Sequence, residues 1–181
     1  MLSKTEYEKT RKLALKYFSK ANIILTEEEK EKIEVSDFGL NKLEDTGLIL
    51  LEYVNTERCC SKELVLTPHQ TCPQHLHPPM GSNPGKEETF RCRWGEIYLY
   101  IEGEPSKDPI AKTPKGKEHV YTVWHEIVLK PGMQYTLQPG IWHWFQAGPE
   151  GAVVSEFSTH SNDELDNFWD KEIQRIAVIE D

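Results

Sequence analysis

The sequence predicts a mainly β protein, a small β-barrel or double-sheet jelly roll, with a helical N-terminal extension and a short C-terminal helix. Three observations carry this reading. From Leu40 onward, short apolar or alternating runs such as GLILLEYVN, SKELVLTP and EIYLYIEGE are broken by Gly, Pro, Asn and Asp, the pattern of strands and turns. Such runs number roughly eight or more, enough to enclose a ligand. Helix-start signatures fall only towards the two ends of the chain.

In chain order, Ser3 with Glu6 makes a capping box ahead of Tyr7, Leu13, Leu15, Tyr17 and Phe18, so a first helix is expected over residues 5–21. Thr26 with Glu29 repeats the signature before EEKEKIEV, which is too acidic for the core and predicts a short exposed helix. These elements form an extension over residues 1–40. Residues 41–160 make the barrel. Within it, HVYTVWHEIVLKPGMQYTLQPG adds two or three strands punctuated at Pro131-Gly132 and Pro139-Gly140, and GAVVSEFST adds another after a turn at Pro149–Gly151. In residues 161–181, Ser161 with Glu164 predicts a short helix carrying Leu165, Phe168 and Trp169, and IQRIAVIE continues as strand or helix tail. The whole length, 181 residues, suits a single domain. The loops SNPGKEE and GEPSKDPIAKTPKGKEH read as mobile, the second framing a pocket mouth.

Composition narrows the partners. A formal net charge of -9 argues against nucleic acid and anionic membranes, which are met by clustered Lys and Arg. Cys59, Cys60, Cys72 and Cys92 lack the density and spacing of a disulfide scaffold and read as reduced thiols. Neither a signal-peptide core nor a run of about twenty apolar residues is visible, so a soluble, cytoplasmic protein is expected.

The chemistry gathers between Thr71 and Gly95. His75 and His77 stand two apart in an extended segment and project from one face, and Glu88 can return on a neighbouring strand to meet them. Pro139-Gly140 turns the chain just before His143. Three imidazoles and a carboxylate suit Mn, Fe, Co, Ni or Zn and leave positions open for chelating oxygens. Glu87 competes with Glu88, because strand parity without a register does not separate them. Lys86 shares the face of Glu88 and could serve as a cation near a developing alkoxide. Lys62 alternates with Leu64 and Leu66, which puts its stem on an apolar face. Glu156, inside the apolar strand AVVSEFST, is costly unless paired, metal-bound or catalytic, and is the candidate general base. Arg91 and Arg93 fall on the opposite face from Glu88. His69, His119, His125 and His160 have no partner at recognisable spacing. Trp142 and Trp144 flank His143 and would pack or line the pocket.

These residues resemble the cupin superfamily, whose first motif maps onto His75, His77, Glu88 and Gly95, with Glu88 seven residues before the glycine. The second motif appears as Pro139-Gly140-Ile141-Trp142-His143. The long gap between His77 and Glu88, the Lys86-x-Glu88 pair, RCRWGEIYLY and SEFS with its Asp-rich sequel look like the D-lyxose isomerase family within the cupins, over about residues 60 to 170. That resemblance implies interconversion of D-lyxose with D-xylulose and of D-mannose with D-fructose, with a divalent metal, usually Mn, and a cis-enediol or hydride-shift route. It makes His75, His77, Glu88 and His143 metal ligands, places Lys86 and Glu156 in the catalytic pocket beside the candidate Lys62, and implies a homodimer. An Fe-dependent cupin dioxygenase or a non-catalytic sugar-binding cupin would use the same ligand set.

Overall fold

A computed structural model describes residues 2–79, 81–176 and 178–180. The chain runs β1 (Leu2–Ser3), α1 (Lys4–Lys20), α2 (Glu27–Glu31), β2 (Glu34–Ser36), β3 (Leu48–Asn55), β4 (Cys60–Leu66), β5 (Thr71–Leu76) and β6 (Glu88–Ile101). It continues with β7 (His125–Leu129), β8 (Gln134–Leu137), β9 (His143–Ser158), β10 (Asn167–Phe168) and β11 (Ile179–Glu180). This is the mainly β, curled-sheet architecture that the cupin resemblance implies.

The antiparallel pair β6–β9 is its spine. Glu88 lies opposite Ser158 at one end and Ile101 opposite His143 at the other. The far edge of β9 is shared, its second half pairing with β4 and its first half with β5. β6 in turn carries β8 on its first half and β7 on its second. Bulges at Cys92/Trp94 and Gly95/Ile97 bend this long ribbon. They also switch parity: Glu88, Phe90 and Cys92 face inward before the bulges, Ile97, Leu99 and Ile101 after them. Leu48, Leu50, Leu64, Leu66, Phe145 and Val154 complete this interior.

The outer face is covered twice. α1, capped by Ser3 Oγ accepting from Glu6 N–H, lays Ala14, Tyr17 and Phe18 on Ile49, Leu51, Val65 and Val153. Its buried stripe is Thr10, Ala14, Tyr17 and Phe18, and Leu13 faces solvent. α2 carries the full capping box at Thr26 and Glu29 and buries nothing, as the sequence suggests. Farther along, the loop before β7 covers Tyr100 and Trp144, burying Ala111 and Tyr121 against them.

Several expectations need correction. The helical extension ends before residue 40, because Ile33 and Val35 bury in the outer cluster and β2 joins the edge of the sheet. Pro149–Gly151 does not end a strand: β9 continues through it, with φ +88 at Gly151 and residues 149–150 exposed. The C-terminal helix is a single 3-10 turn at Asp163–Leu165, after which β10 pairs with β5. Ser161 does not cap it, since its hydroxyl accepts from Lys62 Nζ and donates to Asp163 Oδ1. The tail of the chain becomes β11, parallel to β1.

Gly95, with φ +74, lies where the spine is tightest: a Cβ there would stand 2.0 Å from the Gly151 carbonyl oxygen and 3.0 Å from Ala152 Cα. Backbone cannot retreat as a side-chain tip would. Gly95→Ala is expected to cost about 3 kcal/mol or more from strain and overpacking. That is roughly 6 °C or more in Tm. A melt within 2 °C or so of wild type would contradict this reading of the bulge.

Candidate metal centre and active site

Inward parity on four strands delivers the polar groups to one end of the interior. His75 comes from β5, Glu88 from β6, and His143 and Glu156 from opposite ends of β9, while Lys62 on β4 is the register partner of Glu156. His77 lies just past β5 and Lys86 just before β6. All seven are buried, and Glu88 is only 2 % exposed. Glu87, on the other face, is exposed and accepts from Gln138.

The ring orientations follow from what each Nδ1 faces. Nδ1 of His75 lies 2.8 Å from Pro73 O and that of His143 lies 2.9 Å from Ile141 O. A carbonyl only accepts, so these nitrogens carry the protons and leave Nε2 as a lone pair. His77 Nδ1 instead meets Asp166 Oδ1 at 2.5 Å. Ligand atoms of the three imidazoles lie within 4.8 Å of one another. Glu88 Oε1 stands 3.1 Å from His77 Nε2 and 3.0 Å from His143 Nε2.

The donor set fits a divalent ion. His143 Nε2 is buried without a directed hydrogen-bond partner although Glu88 is close, as expected when lone pairs converge on a common centre. Opposite lies the acid–base pair: Lys86 Nζ is 2.9 Å from Glu88 Oε2 and 2.5 Å from Glu156 Oε1. Lys62 reaches elsewhere, its Nζ donating to both Asp163 oxygens at 2.8 and 2.7 Å and to Ser161 Oγ at 3.1 Å.

The electrostatics are those of a buried ion cluster. Burial and the neighbouring His143 and His77 push His75 well below the usual imidazole range. Burial would lower His77 too, but Glu88 and Asp166 outweigh it and raise it to about 9. Burial opposes ionisation of Glu88, yet Lys86 and His77 hold it well below the usual carboxylate range. Lys86 is likewise raised against its burial by Glu156 and Glu88.

The cavity among these groups is about 30 Å³. That is room for about two waters. Its apolar wall is Phe38, Leu50, Leu64, Phe90, Phe145 and Phe168. A second hollow of about 390 Å³, lined by Glu34, Glu52, Asn55 and Asn162, shares Lys62, Asp163 and Arg175 with it. A larger groove of about 1020 Å³ along α1 has no histidine or cysteine in its lining.

Among the residues singled out by sequence, Trp142 and Trp144 do not line the cavity. Trp144 stacks on Tyr100 outside the sheet, and Trp142 meets Trp169 edge-on. The loop GEPSKDPIAKTPKGKEH packs on that same outer face instead of framing the mouth, because its Ala111 and the Ile110 N–H dock on Tyr100 and Glu126. Arg91 and Arg93 face outward, to Gln134 and Ser155. His69, His119 and His160 are exposed and His125 is half-buried, away from the ligands. The sequence reading missed Asp163, Asp166, Phe168 and Arg175. The Asp-rich segment after SEFS entered only as a mark of the family resemblance, with no role given to its residues.

A family model described as D-lyxose isomerase matches residues 19–181. The chain belongs to the D-lyxose isomerase family. It is 60% identical to the D-lyxose/D-mannose isomerase of Thermosediminibacter oceani over 181 residues, 100% of both chains. It is 58% identical to the D-lyxose ketol-isomerase of Cohnella laeviribosi, covering 97% of each. Among solved structures, L-ribose isomerase from Cellulomonas parahominis with L-ribose superposes with TM-score 0.82 at 19% identity, covering 99% of this chain and 98% of that one. An L-ribose isomerase variant from Acinetobacter with L-ribose gives TM-score 0.84 at 17% identity, with the same coverage. These likenesses fix the cupin fold, and family membership makes the chain an aldose–ketose isomerase. No helix among the described residues is long and apolar enough to cross a membrane.

The His77 proton supplies a test. Because its folded pKa lies above the unfolded value, that proton stabilises the metal-free fold fully below pH 6.5, and the contribution is lost as pH rises through about 9. A divalent ion held by the His77 imidazole would displace it. Apparent metal affinity is therefore expected to climb about tenfold per pH unit up to that point and then level off. Calorimetry at pH 7 in buffers of different ionisation enthalpy counts the proton released. A count of zero contradicts the charge assigned to His77.

Proposed function

We propose that the protein is a metal-dependent isomerase of free sugars, interconverting D-lyxose with D-xylulose and D-mannose with D-fructose. The observation that carries this is Lys86, whose ammonium touches both the candidate ligand Glu88 and the candidate base Glu156. One buried residue thus joins a metal centre to an acid–base pair. The names of the relatives support the substrates.

His75, His77, His143 and Glu88 would hold a divalent ion, with Mn as the first choice and Co, Fe, Ni or Zn as alternatives. When bound, it supplies Lewis-acid polarisation of a substrate carbonyl. Glu156 carries the proton between C2 and C1 through an enediol, and Lys86 donates to the oxygen on which charge develops. Lys62 belongs to the same pocket, where its hold on Asp163 orders the wall between the inner cavity and the outer hollow. A sugar would arrive from that hollow, since the inner cavity is close to two waters in size. The phenylalanines exclude water from the reacting carbons.

We further propose that residues 1–181 form one cupin domain, working as a homodimer in the cytoplasm. The four unpaired cysteines fit a reducing compartment. An iron-dependent dioxygenase or a non-catalytic sugar binder would use the Glu156–Lys86 pair only to balance the charge of Glu88.

Metal-stripped protein is expected to form no ketose from D-lyxose or D-mannose, and added Mn to restore it. Glu156→Gln should keep its metal and lose about 100-fold or more in kcat, the scale of a missing general base. His77→Ala should lose both metal and turnover. Absence of metal-dependent ketose across pentoses and hexoses would sink the isomerase reading, and near-normal turnover of Glu156→Gln would remove its role alone.

A further inference from the structure

We infer that Asp166 is a positioning residue for the metal centre, and that through it metal binding and docking of the segment 161–170 stabilise each other. This rests on the metal site proposed above.

Two of the three rings are oriented locally, by carbonyls two residues before them in sequence: Pro73 O for His75 and Ile141 O for His143. These contacts travel with the strand that carries the ring. His77 differs. Its Nδ1 faces a carboxylate 89 residues away, on a segment whose lone helical element is one 3-10 turn. The Asp166 side chain is 9 % exposed, so the contact is largely shielded from solvent.

The segment also grips the ligand-bearing strand in two further ways. β10 pairs with β5, Phe168 opposite His75, and the Phe168 ring lies 5.4 Å from the His75 ring. The Trp169 N–H donates to Gln74 O, immediately before His75 in sequence. Undocking the segment would therefore leave His75 and His143 aimed as before and release His77 to rotate. A carboxylate behind a ligating imidazole fixes its tautomer and raises its basicity. Whatever strengthens the ligand when the segment is docked must, by linkage, strengthen docking when the ion is bound.

The experiment measures Mn affinity by competition with a chelator for wild type, Asp166→Ala and Asp166→Asn. It also follows amide hydrogen exchange over 161–170 with and without Mn. Asp166→Ala is expected to bind about 10- to 100-fold more weakly. Asp166→Asn, a weaker acceptor of the same shape, should fall between, about threefold or more below wild type. Mn should slow exchange in the segment of wild type and not of Asp166→Ala. Either variant matching wild type would overturn the positioning role, and wild-type exchange indifferent to Mn would overturn the coupling. If wild type bound no Mn, the metal reading would fall and this inference with it, a result distinct from a wild type that binds and variants that bind equally well.

Discussion

The centre depends on keeping Glu88 ionised at 2 % exposure. An isolated carboxylate buried this deeply would cost several kcal/mol and would escape by taking up a proton. Here Lys86 at 2.9 Å and the His77 imidazole at 3.1 Å replace the lost water. The placement of Lys86 and Glu156 follows from that requirement. Lys86 must be buried to reach Glu88, and a buried ammonium needs more than one counter-charge, which Glu156 supplies. Removing Lys86 would strand Glu88 and Glu156 together, whereas neutralising Glu156 leaves Lys86 its contact with Glu88.

The β6–β9 ribbon makes this arrangement possible. Side-chain period two would carry one face of a fourteen-residue strand straight past a small interior. The paired bulges and the close approach of Gly95 to Gly151 bend the ribbon and reset its parity. Glu88, Phe90 and Cys92 can then share an interior with Ile97, Leu99 and Ile101. The same bending brings His143 and Glu156, at the two ends of β9, to one cluster around Glu88 and Lys86. Three strands would otherwise be needed to place a third imidazole, a base and a carboxylate ligand together.

What was legible in the sequence was whatever local rules govern. Alternation gave the strands, and two-residue spacing gave the shared face of His75 and His77 and that of Lys86 and Glu88. Lys62 and Glu156 announced themselves as charges in apolar runs. The C-terminal segment was illegible for a physical reason. Ser161, Asp163 and Glu164 form a good helix start on paper, but Lys62 and Arg175 compete for the same oxygens and win, since a buried ammonium left bare costs more than a cap is worth. Likewise Ile33 and Val35 sit in an acidic stretch and reveal their role only when the outer face of the sheet arrives to bury them. For Trp144 the structure takes the packing alternative: its neighbour His143 points inward, so strand parity sends the indole out onto Tyr100.

The cluster's charge balance bears on the chemistry it can support. At formal charge, Glu88, Glu156, Asp163 and Asp166 are four anions. Lys62, Lys86 and Arg175 are three cations, and His77, raised to about 9, is the fourth at neutral pH. These eight inner groups sum to zero without an ion, and the more exposed Glu34 and Glu52 add negative charge beside Arg175 and Lys62. A divalent ion that displaced the His77 proton would leave the inner groups with a single excess positive charge. In a cavity walled by phenylalanines, that charge favours a reaction whose neutral substrate becomes anionic at an oxygen on the way to product. Proton removal next to a sugar carbonyl is such a reaction, and a substrate that arrived with a phosphate's two negative charges would overshoot the balance. On the proposed reading, with a divalent ion bound, this inner charge balance is better matched by a free sugar than by a phosphosugar.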